Sequence, residues 1–172
     1  MLAAALLLAL ASVAPPPAPC PVERAGYILS GQPDFTAEFH PVASNVDWPS
    51  GVALAIHSAK TGRTWWFLPW GGGTDGRQHM RWVRVAGDGL DGLRISADQD
   101  FLAVDQMFEF IADLPKMGRV GPMHFVLPGL DRQLWYASPI KERENMRQAF
   151  FHLLQCGTTP KPPVDLALPK VG

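Results

Sequence analysis

Two runs of seven residues, 52–58 and 64–70, are apolar at alternate positions and at most of the positions between them, and only Ala59, Lys60, Thr61, Gly62 and Arg63 separate them. Two such runs joined by a short connection carrying Gly predict a β-hairpin. A strand with one apolar face lies half in water, whereas a strand apolar on both faces must be covered twice. This hairpin therefore has to sit inside a larger sheet. If Thr61 and Gly62 form a two-residue turn, His57 pairs with Trp66, Ala55 with Leu68 and Ala53 with Trp70 on one face. Ile56 then pairs with Phe67, and Leu54 with Pro69, on the other. A three-residue turn with a Gly bulge shifts those pairs by one. The face with Ala53 and Ala55 against Trp66 and Trp70 suits a docked helix. Less directly, it also suits a platform for an apolar ring, a sugar ring or a cation, because aromatic faces attract all three.

Further strands are expected at 25–29, 34–40, 80–85, 93–95, 123–127 and 133–137, from alternation and from the turn residues between them. Two amphipathic helices are expected, at about 97–113 and 139–156. The first follows the capping-box pattern Ser96, Ala97, Asp98, Gln99 and carries Phe101, Val104, Met107, Phe108, Ile111 and Leu114 at helical spacing. The second has Ser138 and Pro139 at its start and a stripe of Ile140, Met146, Phe150, Leu153 and Leu154. Lys141, Glu142, Arg143, Glu144 and Arg147 read as its solvated face. The predicted fold is α+β, a mostly antiparallel sheet of about six to eight strands with the two helices on one side.

The ends of the chain point to a compartment. Residues 2–11 are only Leu and Ala, and no charged residue precedes Glu23. That is the pattern of an export leader, and the prolines at 15–17 end it before it could span a membrane. The expected organisation is a signal peptide at 1–14, cut after Ala11 or Ala14, and a Pro-rich linker at 15–21. A single domain at 22–157 and an extended Pro-rich tail at 158–172 complete it. Cys20 and Cys156 stand at the two margins of that domain, and in an oxidising compartment they are expected to pair. The mature protein is accordingly expected to be periplasmic or secreted, without a stable transmembrane helix.

Chemistry is harder to find. Fifteen basic against sixteen acidic side chains give a net charge of -1, so no broad positive field is available for nucleic acid. The five histidines include no close ligand pair, and the spacing of Asp88, Asp91, Asp98 and Asp100 departs from a calcium loop, so neither a metal nor a cofactor is expected. No Gly-x-Ser-x-Gly elbow occurs. The glycine-rich segment after the hairpin matches neither phosphate-binding fingerprint and reads as a flexible loop that needs positive φ, with a mobile lid beside the tryptophans as its functional alternative. The candidate binding residues are Trp65, Trp66, Trp70, Gly72, Gly73, Asp75, Arg77 and His79. The function expected from this pattern is a non-catalytic binding or accessory protein whose partner is a small molecule or an envelope protein. Two alternatives stand beside it: a hydrolase-like enzyme using His57, His79 or His124 as general base, and an envelope structural or assembly protein.

Overall fold

The computed structural model describes residues 18–71, 78–84, 98–137, 143–166 and 168. Its strands are β1 (Ala25–Leu29), β2 (Phe35–Pro41), β3 (Val52–Ser58), β4 (Thr64–Gly71), β5 (Gln78–Val83), β6 (Asp98–Asp100), β7 (Leu102–Val104), β8 (His124–Val126) and β9 (Phe151–Cys156). All pairs are antiparallel, in the order β6-β5-β4-β3-β2-β1-β9-β8-β7. The two ends of that order meet, because only Phe101 separates β6 from β7 and its amide donates to Gln78 O at 3.0 Å. The sheet thus rolls into a nearly closed up-and-down barrel in which β6 and β7 together occupy one strand's width. Closure removes the free edges that an open sheet would present.

A barrel of that width is just wide enough for side chains to fill it. Alternate residues point inward, and many of them are aromatic. Tyr27, Phe39, Trp65, Phe67, Phe101, Phe125 and Phe151 are all buried in one cluster. Tyr27 meets Phe125 edge-on at 5.0 Å, and Phe151 stacks on Phe125 at 5.0 Å. This answers half of the hairpin's demand to be covered twice. The outer half is answered by a second cluster, in which Trp48, Ala53, Leu68, Val83 and Leu166 are buried with Val42, Trp66, Trp70, Val164 and Leu168 packed on them. The covering element on that face is irregular chain and not a helix.

The hairpin strands form where expected and divide their side chains between faces as expected, but the register differs by two residues. His57 lies opposite Thr64 and Ala55 opposite Trp66. All five intervening residues belong to the loop, which is closed by Gly62 N–H donating to Ser58 O at 2.8 Å, with Gly62 at φ 72°.

The α+β expectation, with two amphipathic helices and six to eight strands, is overturned. Residues 98–104 are the bent strand β6–β7: Gln99, Phe101 and Ala103 point into the barrel, and Leu102 and Val104 point out. The helical spacing at 97–113 was a coincidence of a period-2 strand followed by a turn. In that turn the Asp105 carboxylate accepts from Met107 N–H and Glu109 N–H, leaving Met107, Phe108 and Phe110 exposed.

The start of the helix expected at 139–156, with Ile140, lies outside the described residues, and the rest of its stripe is divided between irregular chain at 143–150 and strand β9, where Phe151 faces the core and His152 faces out. Glu144, read as solvated, is 1% exposed, and its carboxylate accepts from the hydroxyls of Ser58 and Thr61. It fastens the 143–150 segment to the β3–β4 turn. The α-helix among the described residues is α1 (Leu130–Ala137), in place of the strand expected at 133–137. Leu130 and Leu134, one turn apart, enter the core from it, and Asp131 in the first turn suits the helix dipole. The strand expected at 93–95 lies outside the described residues.

Cys20 and Cys156 are bridged, with Cα atoms 5.7 Å apart, and Cys156 lies opposite Ala25 where β9 pairs with β1. Among the described residues no helix is long and apolar enough to cross a membrane. Residues 161–166 run along the outside of β2 and its neighbours. Lys161 N–H donates to Glu23 O and Val164 N–H to Pro41 O, the Lys161 ammonium bonds the Glu38 carboxylate, and a nitrogen of the His40 ring contacts Pro162 O at 3.0 Å.

Candidate functional site

The barrel has two unlike ends. One is plugged by α1 and the 143–150 segment, where Gln32 Nε2 donates to Asn145 O at 2.7 Å and Gln133 and Gln99 exchange side-chain hydrogen bonds. The other is spanned by the β2–β3 loop and by residues 105–123, which connect β7 to β8. Three bonds hold this long connection across the mouth: Met117 N–H to Ser50 O, Ser50 Oγ to Pro115 O at 2.6 Å, and Gln78 Nε2 to Ile111 O at 2.6 Å.

A cavity of about 620 Å³ lies beneath that connection. Pro69, Ala103, Ile111, Leu114 and Val120 give it apolar walls, and Asp47, Asp113, Lys116 and Arg119 carry its charges. Pro69, Gly71 and Ala103 occupy inward-facing positions, so the cavity is the unfilled top of the barrel above the aromatic packing. Gly71 has a local reason to lack a side chain. A Cβ there would stand 2.7 Å from Leu114 Cδ1, so the glycine lets Leu114 close over the mouth.

The three tryptophans singled out in the sequence do not form one surface. Trp65 is fully buried in the barrel, whereas Trp66 and Trp70 lie half-buried on the outer face. The face of Trp70 is already occupied by a cation from the same chain. The Arg81 guanidinium sits 5.0 Å from the Trp70 ring and 5.9 Å from that of Trp48. Asp98 grips the guanidinium with Nε–Oδ1 at 2.8 Å and Nη2–Oδ2 at 2.9 Å, and this hydrogen bonding raises the Arg81 pKa further. Trp66 receives the His40 ring edge-on at 5.2 Å. Gly72, Gly73, Asp75 and Arg77 lie outside the described residues.

The three candidate bases have different surroundings. His57 Nδ1 is 3.1 Å from Thr64 Oγ1. His79 Nδ1 is 3.2 Å from Asp100 Oδ1, so Nε2 is the ring nitrogen away from that carboxylate. Contacts among the described residues bring no hydroxyl or thiol nucleophile to that Nε2. His124 faces His152 across the sheet, with the Nδ1 atoms 2.7 Å apart. Burial first, and the His152 charge second, lower the His124 pKa. Among the described residues no group of three or more His, Cys, Asp or Glu side chains is placed to hold a metal ion.

The mouth cavity was not visible in the sequence, since its walls come from residues 47–50, 69–71, 103 and 111–122. Prolines at 49, 69, 115 and 122 were its one available signal. No family model, curated protein or solved structure matches this chain.

Proposed function

We propose that this is an exported, non-catalytic binding protein that takes a compact, largely apolar molecule with one charged or hydrogen-bonding group into the mouth of its barrel. The observation that carries the reading is the 620 Å³ cavity above a lumen otherwise filled by side chains. Small-molecule sites fall at about 300–1,000 Å³, are mostly apolar with a few polar groups, and recur at the mouths of β-barrels. Lys116 and Arg119 at the rim suit an anionic group, and Asp47 and Asp113 suit a donor. Gln78 Oε1, behind Ile111, is a buried acceptor with no partner. The disulfide and the apolar leader favour a periplasmic or secreted location. Trp66 and Trp70 support the barrel wall in this reading and do not touch the ligand.

The test uses 8-anilinonaphthalene-1-sulfonate, an apolar anion whose fluorescence rises on leaving water. The native protein should bind one equivalent. Ala103→Trp, which fills the cavity, should abolish that binding. Arg119→Glu, on an exposed side chain that leaves the fold intact, should weaken it at least tenfold. Equal binding by all three proteins would refute the assignment.

A further inference from the structure

A second site, independent of the cavity, lies on the outer face of β8 and β9. We propose that His124 and His152 form a two-imidazole chelate for a divalent transition-metal ion, with copper(II) as the preferred occupant. The two residues are direct cross-strand partners, so the sheet fixes the separation of their backbones. Their Nδ1 atoms already point at the same space from 2.7 Å, and the ring planes are inclined at 82°. Contacts among the described residues give neither ring another hydrogen-bond partner. In the neutral pair one Nδ1 carries the proton and the other accepts it. Moving that proton to its own ring's Nε2 leaves two lone pairs facing one point, so an ion enters without loss of a proton.

Both common coordination angles lie within reach of the pair. Two nitrogens bound to one ion at about 2.0–2.1 Å stand about 2.9 Å apart at a right angle and about 3.3 Å apart at the tetrahedral angle. The 2.7 Å of the metal-free pair is a hydrogen-bond distance, so either arrangement requires the rings to part by a few tenths of an ångström, and the choice of ion rests on affinity. Copper(II) binds imidazole more tightly than nickel(II) or zinc(II) does, which makes it the preferred occupant. Phe108 stacks on His124 with 10° between planes and centroids 4.8 Å apart. A metal binds in the plane of an imidazole, so a ring lying on its face leaves the coordinating edge open. Phe108 holds this position at φ 61°, a conformation few non-glycine residues adopt, within the turn that Asp105 closes. Water completes the coordination sphere, since no third protein ligand is among the described residues.

Copper(II) is titrated alone into tag-free, oxidised protein at pH 7.5 and followed by calorimetry and electron paramagnetic resonance. One equivalent should bind with a tetragonal signal showing coupling to two nitrogens. His124→Ala and His152→Ala should each weaken binding at least tenfold, and His57→Ala should leave it unchanged. Far-UV circular dichroism checks that these surface variants stay folded, and His152→Gln repeats the test with a polar side chain of similar size. The proposal fails if the native protein takes up no copper at micromolar concentration. It fails equally if either substitution leaves affinity and nitrogen coupling unaltered.

Discussion

Opening the disulfide is the sharpest perturbation of the barrel. Cys20 and Cys156 are 136 residues apart, and their bridge fastens the seam where β9 meets β1. In the chain-entropy account, closing a loop of that length stabilises the fold by about 5 kcal/mol, acting through the unfolded chain. Measured losses for native bridges run to about 2–5 kcal/mol, a large share of the roughly 5–15 kcal/mol that holds a typical domain together. The assay is urea unfolding of the native protein and of the Cys20→Ser, Cys156→Ser double variant, followed by tryptophan fluorescence. The expected result is a midpoint lowered by the equivalent of about 2–5 kcal/mol, reproduced when the native protein is unfolded under reductant. Cys20 is itself buried, so a small part of the loss belongs to packing. A loss below about 1 kcal/mol would show that the seam is held by its hydrogen bonds and core alone, and would refute the reasoning.

Leu134→Ala removes a fully buried side chain of α1 and should cost about 2–5 kcal/mol in the same assay, with Tyr136→Ala, on the exposed side of that helix, close to neutral. Truncation after Thr159 removes the chain that covers Trp48, Trp66 and Trp70, so tryptophan emission should shift to longer wavelength while the far-UV spectrum stays that of the barrel. Tyr27 is buried, its hydroxyl donates to Pro122 O at 3.0 Å, and burial pushes its pKa far above the ordinary 10.0. The folded pKa exceeds the unfolded one, so this stability is fully present below pH 10 and is lost as pH rises beyond it. In an alkaline titration read at 295 nm, one of the two tyrosines should ionise only as the barrel unfolds, and Tyr27→Phe should flatten the alkaline loss.

Local alternation carried much of the fold. β1 was legible from 25–29, and the faces of the β3–β4 hairpin followed from parity alone, which a register slip of two residues preserves. The helices were misread for a physical reason. Apolar residues at 101, 104, 107, 108 and 111 satisfy a helical period, but Gln99, Phe101 and Ala103 satisfy a period of two, and long-range pairing with β5 and β8 decides between them. Burial of Glu144 depends on two hydroxyls more than 80 positions away, information that no window contains. The surroundings of Trp70 were hidden in the same way, because the cation on its ring comes from Arg81 in the next strand and is locked by Asp98. The His124–His152 pair was hidden by 28 residues of separation.

The central claim is that the ligand enters the mouth of the barrel and leaves the tryptophan face untouched. Two-dimensional ¹H–¹⁵N spectra recorded during titration with 8-anilinonaphthalene-1-sulfonate test it directly. The account predicts shifts concentrated on the amides of Ser50, Gly71, Ala103, Ile111, Leu114 and Arg119, all at the cavity. Shifts centred on Trp66, Trp70 and Arg81, or a spectrum that does not change, would contradict it.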